Sequence, residues 1–320
     1  MQEMTRRDFM KATAVAGSAL GLGLIASGGL FSSAEAYVHA DMQGPFSTQM
    51  LRNKVEMPIF GFDTAFLQGD EGRETILSAL QAGYKLIDTA TDYGSEREVG
   101  EAIIASGMLR EDVFITAKIR HNRNGDTNVE NTLNASLAKL KTSYVDLYLL
   151  QFPFQGGGKE GLQRDIEVWR EMEALYESGR VRAIGISNFY PQHLESFLPL
   201  CKVKPMVNQI ELHPFYVQDR LIEICRHHKM AIQAYAPLAR GKGMLLDPTI
   251  QKLANRHRKT PSQIMLRWSI QKGFVPLPHS TDIDRIKENI DVFNFNLSVN
   301  DMSLLNKLKK ANKKVIPLKS

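Results

Sequence analysis

Eight short apolar runs rich in β-branched residues alternate with longer amphipathic stretches, and this alternation restricts the fold more than any other feature. The predicted strands are Ile59–Thr64, Lys85–Ala90, Val113–Ile119, Asp146–Phe152, Ala183–Asn188, Met206–Glu211, Ala231–Ala236 and Phe274–Pro278. Continuous apolar strands favour a parallel sheet that is buried on both faces. Eight strand–helix units that close on themselves predict an α/β fold, the (β/α)8 TIM barrel.

The stretches between the strands have the spacing of amphipathic helices. The clearest helical patterns cover Arg73–Ala82, Glu96–Ser106, Val129–Leu140, Asp165–Ser178 and Pro261–Gln271, and a short hairpin is predicted near Gln49–Met57. The 320 residues would allow two domains, but α/β barrels commonly use about 200–250 residues as one. We therefore expect a leader over residues 1–36 and a single barrel domain over residues 37–320.

A doubly wound dinucleotide-binding fold is the main alternative among α/β proteins. That fold needs a G-x-G-x-x-G motif after its first strand, and the chain has none there. The glycine run Gly156–Gly158 follows a predicted strand but lacks the lysine and serine of a phosphate-binding loop. We interpret it as a loop at the mouth of the barrel.

Asp88, Tyr93 and Lys118 lie at or near the ends of two predicted strands, where active-site groups of a barrel are found. A free tyrosine phenol has a pKa of about 10 and is a poor proton donor at neutral pH. A neighbouring lysine ammonium favours the phenolate and so lowers the pKa of Tyr93, and an aspartate holds that lysine. The three residues together predict Tyr93 as a general acid for a carbonyl oxygen that receives a hydride, and as the base in oxidation.

Eight sequence blocks around these residues, from about residue 49 to residue 315, resemble the aldo-keto reductase family. They read MPIFGFDT, GYKLIDTATDYGSE, FITAKI, VDLYLLQFP, AIGISNF, VNQIELHP, AYAPLARGK and PHSTDIDRIKENI, in the order that the family has. The resemblance implies an oxidoreductase that transfers a hydride between a nicotinamide nucleotide and an aldehyde, ketone or alcohol.

Gln151 is the largest departure from the pattern of that family. A histidine normally stands there in a DLYLxHWP block, whereas this chain reads DLYLLQFP, with Phe152 in place of the common tryptophan. A glutamine amide can orient a carbonyl by a hydrogen bond but cannot transfer a proton. A weakened hydrogen bond costs about 1–3 kcal/mol of barrier, or about one to two decades in rate. We expect a working redox site with altered substrate choice; the alternative is a nucleotide-binding sensor or scaffold barrel with little turnover.

The resemblance also implies the cofactor-binding residues. At the nicotinamide end they are Thr64, Ser187, Asn188, Gln209, Tyr235, whose ring would stack on the nicotinamide, and Leu238; at the adenine end they are His279, Ser280, Arg285, Glu288 and Asn289. Arg285 can pair with a phosphate through two hydrogen bonds, which favours NADP(H) over NAD(H). His279, where lysine is common, weakens this preference, so NAD(H) stays open.

Two further substitutions fall in the implied cofactor site. Ala236 replaces a serine near the pyrophosphate, so the contact there has to come from backbone amides. Asp63 replaces the glycine of GFGT or GLGT, and its carboxylate could repel phosphate or bind a ribose hydroxyl. The sequence does not decide between these effects of Asp63.

The leader has the features of a twin-arginine (Tat) export signal. It contains TRRDFMK, a weakly apolar stretch over residues 12–31 with five glycines, and an A-x-A cleavage site at residues 34–36. A membrane anchor is the alternative, but the glycines and the small residues argue against stable anchoring. We predict export of the folded protein by the Tat translocase to a periplasmic or other extracytoplasmic location. A third possibility for function then arises: a sugar or alcohol dehydrogenase that keeps one trapped cofactor.

Charge, cysteines and histidines limit which other partners and metal ions we expect. The net charge of +5 is modest and the basic residues form no block, so we expect no nucleic-acid partner. Cys201 and Cys225 lack metal-ligand spacing and are expected in separate helices, as buried thiols or as a disulfide. His227 and His228 are adjacent and point to different faces of a helix, so we predict no metal site.

The predicted substrate pocket has walls from Phe66, Tyr93, Phe152, Phe154 and the segment after Phe293. A pocket with these walls suits a small carbonyl compound or alcohol. We expect the protein to be a monomer.

Overall fold

The computed structural model describes residues 44–120, 127–154, 158–241 and 243–316. The predicted leader, with its cleavage site, lies outside these residues, as do Gly156 and Gly157 of the glycine run. Gly158, which we expected in the same loop, is instead the first residue of a helix.

Eight parallel strands form a barrel, preceded by a short antiparallel hairpin. The hairpin strands are β1 (Thr48–Met50) and β2 (Glu56–Pro58), and the barrel strands are β3 (Gly61–Asp63), β4 (Leu86–Asp88), β5 (Phe114–Ile119), β6 (Leu147–Leu150), β7 (Ile184–Ser187), β8 (Val207–Glu211), β9 (Ala231–Tyr235) and β10 (Val275–Leu277). Neighbours in the sheet follow chain order. A hydrogen bond of 3.0 Å from Asp63 N to Pro278 O joins the first barrel strand to the segment after the last. The predicted (β/α)8 TIM barrel is confirmed.

Helices alternate with the barrel strands. They are α1 (Gly69–Gln81), α2 (Glu96–Ser106), α3 (Val129–Leu140), α4 (Gly158–Glu177), α5 (Pro191–Phe197), α6 (Asp219–His227), α7 (Pro248–His257), α8 (Pro261–Gln271), α9 (Ile283–Ile290) and α10 (Val299–Asn306). The start of α8 follows from its sequence, because Thr260 and Gln263 form a capping box and Pro261 occupies the first turn.

The sequence placed some boundaries incorrectly. The first predicted strand begins too early, because the amide of Ile59 donates to Ser47 O (3.1 Å) in the segment leading into β1. The prediction for α4 began seven residues too late, since Asp165 lies within the helix that starts at Gly158. Cys201 follows a 3-10 turn and is not in a helix, whereas Cys225 lies in α6. Both cysteines are buried and free.

The hairpin covers the amino ends of the barrel strands. Met57 of β2 is fully buried, and its sulfur accepts a hydrogen bond from Gln233 Nε2 at 3.4 Å inside the barrel. The carboxyl ends of the strands are therefore where side chains inside the barrel can meet solvent, as in other barrels of this type. Within the described ranges, no helix has the length and apolar character needed to cross a bilayer.

Candidate active site

Lys118 stands at the centre of a cluster at the carboxyl ends of β4 and β5. Its Nζ lies 2.5 Å from Asp88 Oδ2 and donates to Tyr93 Oη and Thr89 O, each at 3.2 Å. Tyr93 ends a 3-10 turn (Thr91–Tyr93) that follows β4, and Gly94, with φ of 70°, ends that turn. The structure thus brings together the three residues that the sequence singled out, and Tyr93 keeps its own hydroxyl hydrogen for another acceptor.

Asp88 and Lys118 are both buried, and burial of either charge alone would be costly. The second oxygen of Asp88 accepts from Gln209 Nε2 at 2.7 Å, and Gln209 Nε2 also donates to Gln233 Oε1 at 2.8 Å. Burial raises the pKa of Asp88 to about 6; Lys118 opposes this shift, whereas Asp63 adds to it. The carboxylate is therefore held in position from two sides of the barrel.

The pKa of Tyr93 differs from the expectation based on sequence. We predicted that Lys118 lowers it, but burial, and after burial the charges of Asp63 and Asp88, raise the pKa of Tyr93 well above its usual value. The positive charge of Lys118 is largely matched by Asp88, which limits its effect on the phenol. Tyr93 therefore holds its proton at neutral pH and would release it only to a strong base, such as an alkoxide oxygen formed by hydride addition.

Thr64 supports the backbone under this cluster. Its fully buried side chain donates to Asp88 O at 2.9 Å and lies 2.9 Å from Ser95 Oγ, which is 3.2 Å from Thr89 Oγ1. Because these bonds occupy the Thr64 hydroxyl, the side chain predicted to contact the cofactor faces the protein interior. The bonds hold the segment that carries Tyr93.

Gln151 directly follows β6 and lies on the side of the barrel next to the cluster. Its backbone carbonyl accepts from Asn188 Nδ2 at 3.0 Å. Its side-chain amide makes no hydrogen bond to any residue that the structure describes. The amide is therefore available to a ligand, which the predicted contact with a carbonyl oxygen requires.

The residues predicted for the nicotinamide form one connected group. Asn188 Oδ1 accepts from Tyr235 Oη at 2.8 Å, and Asn188 Nδ2 lies 3.1 Å from Ser187 Oγ, which donates to Gln209 O at 2.9 Å. Asn188 adopts a left-handed φ of 63°, which asparagine tolerates better than most residues. The Tyr235 ring is half-buried at the end of β9. These residues lie together as predicted, with Gln209 also bonded to Asp88.

The segment after β9 has an unusual backbone. Ala236, Ala239 and Arg240 have left-handed φ angles of 48°, 50° and 52°, and Leu238 between them packs partly buried against the core. Such conformations cost about 1–3 kcal/mol each and concentrate at ligand-binding segments. The predicted contact through backbone amides at Ala236 is compatible with this turn.

The residues predicted for the adenine end lie on the segment from β10 to α9. The Arg285 side chain is 74% exposed, and its ion pair with Asp282 is long, at 3.6 Å. His279 is exposed and lies 3.0 Å from Asp63 O through Nδ1, and Ser280 Oγ accepts from Asp282 N at 3.0 Å. The amides of Asp284 and Arg285 at the start of α9 already donate to the Asp282 carboxylate, at 2.9 Å and 3.2 Å. The exposed Arg285 guanidinium is therefore the group of this segment that suits a phosphate.

Two residues of this segment are more enclosed. Glu288 Oε1 accepts from Thr260 Oγ1 at 2.7 Å, which ties α9 to the start of α8. Asn289 is buried. Glu288 therefore already supports the fold, in addition to the adenine contact that the sequence predicts for it.

Aromatic side chains lie near Tyr93 and Gln151. Phe66 is 70% exposed with its ring centroid 6.4 Å from that of Tyr93, and Phe152 lies 5.5 Å from the Arg120 guanidinium. Phe154 contacts Arg164 of α4 at 4.9 Å. Phe66 thus lies beside Tyr93 and Phe152 beside Arg120, whereas Phe154 is nearer to the outer helix.

The segment after Phe293, which was predicted to form a pocket wall, begins at the amino side of the barrel and ends at its carboxyl side. Phe293 packs edge-on against Phe60, 5.9 Å away, just before β3 and so on the amino side of the barrel. The chain then returns to the carboxyl ends of the strands, where Glu211 accepts the amides of Val315 (2.6 Å) and Ile316 (2.9 Å).

Sequence reasoning missed Glu211, His213 and Gln233. Glu211 lies opposite Tyr235 in the strand register, is buried, and is 3.2 Å from His213 Nε2. Gln233 connects Gln209 to the barrel interior. The available signal was a polar residue inside an apolar strand, in VNQIELHP and in AIQAY. The described residues include no cluster of three or more histidine, cysteine or acidic side chains arranged to hold a metal ion.

A parallel barrel with a Tyr–Lys–Asp cluster and a phosphate-suited segment at its carboxyl end defines an oxidoreductase barrel. The comparison with known families agrees with this class. The model of the aldo/keto reductase family matches residues 60–310, and the chain belongs to this family. Residues 3–23 match a signal sequence of the twin-arginine translocation pathway, which indicates export across the cytoplasmic membrane.

Relatives with named activities are similar over most of their length. The chain is 41% identical to a 9,11-endoperoxide prostaglandin H2 reductase of Trypanosoma cruzi over 264 residues, covering 81% of this chain and 90% of the relative. It is 40% identical to a glyoxal reductase of Bacillus subtilis over 267 residues, covering 82% and 93%. The structure of a Bombyx mori aldo-keto reductase in complex with NADP superposes with a TM-score of 0.76 at 32% identity, covering 87% of this chain and 96% of that one.

Proposed function

We propose that this protein is an NADP(H)-dependent oxidoreductase that transfers a hydride between nicotinamide and an aldehyde, ketone or alcohol. The proposal depends mainly on one observation, the Lys118 ammonium 2.5 Å from Asp88 and 3.2 Å from the Tyr93 hydroxyl. The relative from Bacillus subtilis is named for glyoxal, a dicarbonyl compound, and so supports a carbonyl substrate. The relative from Trypanosoma cruzi, named for an endoperoxide, supports reductase chemistry only.

The residues of the cluster have distinct roles in the proposed reduction. A reduced nicotinamide held by these residues would supply the hydride that the carbonyl carbon receives. The π electrons of the carbonyl bond move to its oxygen, which takes the proton of the Tyr93 hydroxyl. Lys118 stabilises the tyrosinate that remains until solvent reprotonates it, and Asp88 keeps Lys118 in place. The side-chain amide of Gln151 donates a hydrogen bond to the same carbonyl oxygen and orients it.

The cofactor preference follows from the exposed guanidinium of Arg285, which suits the 2′-phosphate of NADP(H). Ser187, Asn188, Gln209 and Tyr235 would hold the nicotinamide. The NADP bound to the Bombyx mori relative supports the same preference, and NAD(H) is the alternative. A cofactor bound before export is compatible with the signal sequence, because the Tat pathway carries folded proteins.

Further proposals concern the processing, location and oligomeric state of the protein. Cleavage after residue 36 would leave a mature chain of residues 37–320, engaged by the Tat translocase only during export. We place the mature protein in the periplasm or another extracytoplasmic compartment, as a monomer without a stable membrane anchor. The same signal favours a second candidate function, a dehydrogenase that retains one trapped nucleotide, because free NADPH is a cytoplasmic metabolite. Nucleotide that remains bound through gel filtration of the exported protein would support this candidate.

The direct test is NADPH oxidation by purified mature protein, followed at the absorbance band of reduced nicotinamide. Aldehydes, ketones and sugars serve as substrates, and Tyr93→Phe is the matched control because it removes only the hydroxyl. We expect consumption with wild type and a loss of at least about 100-fold in the control. If NADPH binds but no carbonyl compound is reduced, the proposal fails and the sensor or trapped-cofactor alternatives gain support.

A further inference from the structure

Asp63, where related sequences were expected to have glycine, lies beside the catalytic cluster. It is the last residue of β3, and its register partner on β4 is Asp88. Paired residues of neighbouring strands are about 4.8 Å apart and point to the same face of a sheet. Since Asp88 points into the barrel towards Lys118 and Gln209, Asp63 does so as well. Two carboxylates are therefore neighbours at the mouth of the barrel.

The carboxylate of Asp63 has no cationic partner among the residues that the structure describes. Its Oδ1 accepts the amide of Ala65 at 3.0 Å, and the side chain is half-buried. Neither lysine nor arginine forms an ion pair with it in the part of the chain that the structure describes. Lys118, the lysine of the neighbouring cluster, is already paired with Asp88. A neutral amide at position 63 could make the same backbone contact without the charge.

Several charged or titratable groups face Tyr93 from the surrounding elements. They are Asp63 on β3, Asp88 on β4, Asp92 in the same turn, Lys118 on β5 and Tyr235 on β9. The charges of Lys118 and Asp88 offset each other, and Asp92 is paired with Arg120 at 3.0 Å. Asp63 is left as the unpaired charge. After burial, it makes the largest contribution to raising the pKa of Tyr93.

We propose that Asp63 is a positioning residue whose unpaired carboxylate keeps the proton on Tyr93 and thereby determines the pH range of each direction of the reaction. The proposal rests on the function proposed above. Reduction needs the phenol as an acid, whereas alcohol oxidation needs the tyrosinate as a base. The carboxylate therefore allows reduction over a wide pH range and confines oxidation to high pH.

The same carboxylate should discriminate between the two forms of the cofactor. Asp63 directly precedes Thr64, which belongs to the nicotinamide end of the proposed cofactor site. Oxidised nicotinamide carries a positive charge that the reduced ring lacks. We therefore expect Asp63 to favour binding of NADP⁺ relative to NADPH, an effect that can be measured without turnover.

Asp63→Asn tests both consequences, because asparagine keeps the acceptor for the Ala65 amide and removes only the charge. The pH dependence of alcohol oxidation should move to lower pH by on the order of one unit, equal to about tenfold more tyrosinate at a given pH. The ratio of the dissociation constants of NADP⁺ and NADPH, measured by fluorescence titration, should rise about three- to tenfold. Asp63→Gly should show the same two shifts and covers the case in which the asparagine variant folds poorly.

Asp92→Asn is the matched control, since it removes a carboxylate near Tyr93 that is exposed and already paired; its shifts should be smaller than those of Asp63→Asn. The proposal is overturned if the oxidation profile stays in place, or if the ratio of dissociation constants is unchanged in both variants at position 63. A structural role alone would lower both directions of turnover without moving the pH profile. If wild type reduces and oxidises nothing, the proposed function fails, and the binding ratio still decides the role of Asp63.

Discussion

Lys118→Met removes the one positive charge of the buried cluster while keeping a side chain of similar length. In the structure this lysine has three hydrogen-bond acceptors, Asp88, Thr89 O and Tyr93 Oη, and both members of the ion pair with Asp88 are 1% exposed. The substitution leaves Asp88 buried with Gln209 as its remaining side-chain donor. We expect a large loss of stability, because an unpaired charge in this position has no access to water.

Two arguments bound the size of the loss. Removing one partner of a buried ion pair costs about 3–5 kcal/mol if the remaining charge stays ionised. If the carboxyl of Asp88 takes up a proton instead, the cost at pH 7 is at most about 4 kcal/mol relative to an unfolded pKa of about 3.9. Wild type, in which the pKa of Asp88 is about 6, already bears about 3 kcal/mol of this cost, so proton uptake adds about 1 kcal/mol. We therefore expect the free energy of unfolding to fall by about 1–4 kcal/mol, and the melting temperature by about 2–8 °C.

The assay is calorimetric unfolding of the nucleotide-free protein at several pH values. Without Lys118 the pKa of Asp88 in the folded state lies still further above its unfolded value. The contribution of protonated Asp88 to the free energy of unfolding is then fully present only below about pH 4 and is lost as the pH rises. The difference in melting temperature between variant and wild type should therefore be smaller at pH 4.5 than at pH 7.5.

Two controls distinguish this account from a packing defect. Lys202→Met breaks the exposed ion pair with Glu177, at 2.7 Å, and should change stability by less than about 1 kcal/mol. The double variant Lys118→Met with Asp88→Asn has no buried charge and should recover most of the loss. A double variant as unstable as the single one, or a fall of less than about 2 °C for Lys118→Met, would refute the reasoning.

Two further predictions concern the site and the last helix. Gln151→His supplies a donor that can also titrate, so we expect kcat for carbonyl reduction to rise about tenfold. Gln151→Met removes the donor and should lower kcat about tenfold. Equal values of kcat for wild type and both variants in steady-state assays would contradict a role for the amide. Burial alone would raise the pKa of Asp301, but hydrogen bonds from Ser298 and His257 outweigh burial, so the pKa of Asp301 is lowered. Ionised Asp301 therefore stabilises the fold above its unfolded pKa, and this stability is lost as the pH falls. Asp301→Asn should be about 1–2 kcal/mol less stable than wild type at pH 7, with the difference disappearing towards pH 3 in thermal unfolding.

The barrel could be predicted from the sequence because its signals are local. Buried parallel strands produce continuous apolar runs, and amphipathic helices produce a 3.6-residue period, so the order of elements is visible without knowledge of contacts. The helices α2, α3 and α8 were predicted with the bounds they have, and α8 carries its own capping box. Boundaries failed where the pattern was weak, as at Gly158, which starts α4 after a glycine run.

The location of the site was also visible in the sequence, since polar residues at the ends of apolar strands must meet at one end of a barrel. That reasoning placed Asp88, Lys118 and Gln151 together before any distance was known. It did not find Glu211 as the acceptor for the end of the chain, because the bonds to Val315 and Ile316 join residues more than one hundred positions apart.

What the sequence determined by itself was the order of strands and helices and the identity of the chemical groups at the strand ends. The tertiary structure alone decided the electrostatics of those groups. Lys118 was expected to lower the pKa of Tyr93, but Asp88 offsets its charge and Asp63, from another strand, acts in the opposite direction. A pKa depends on burial and on distances between charges, and the closed barrel sets both.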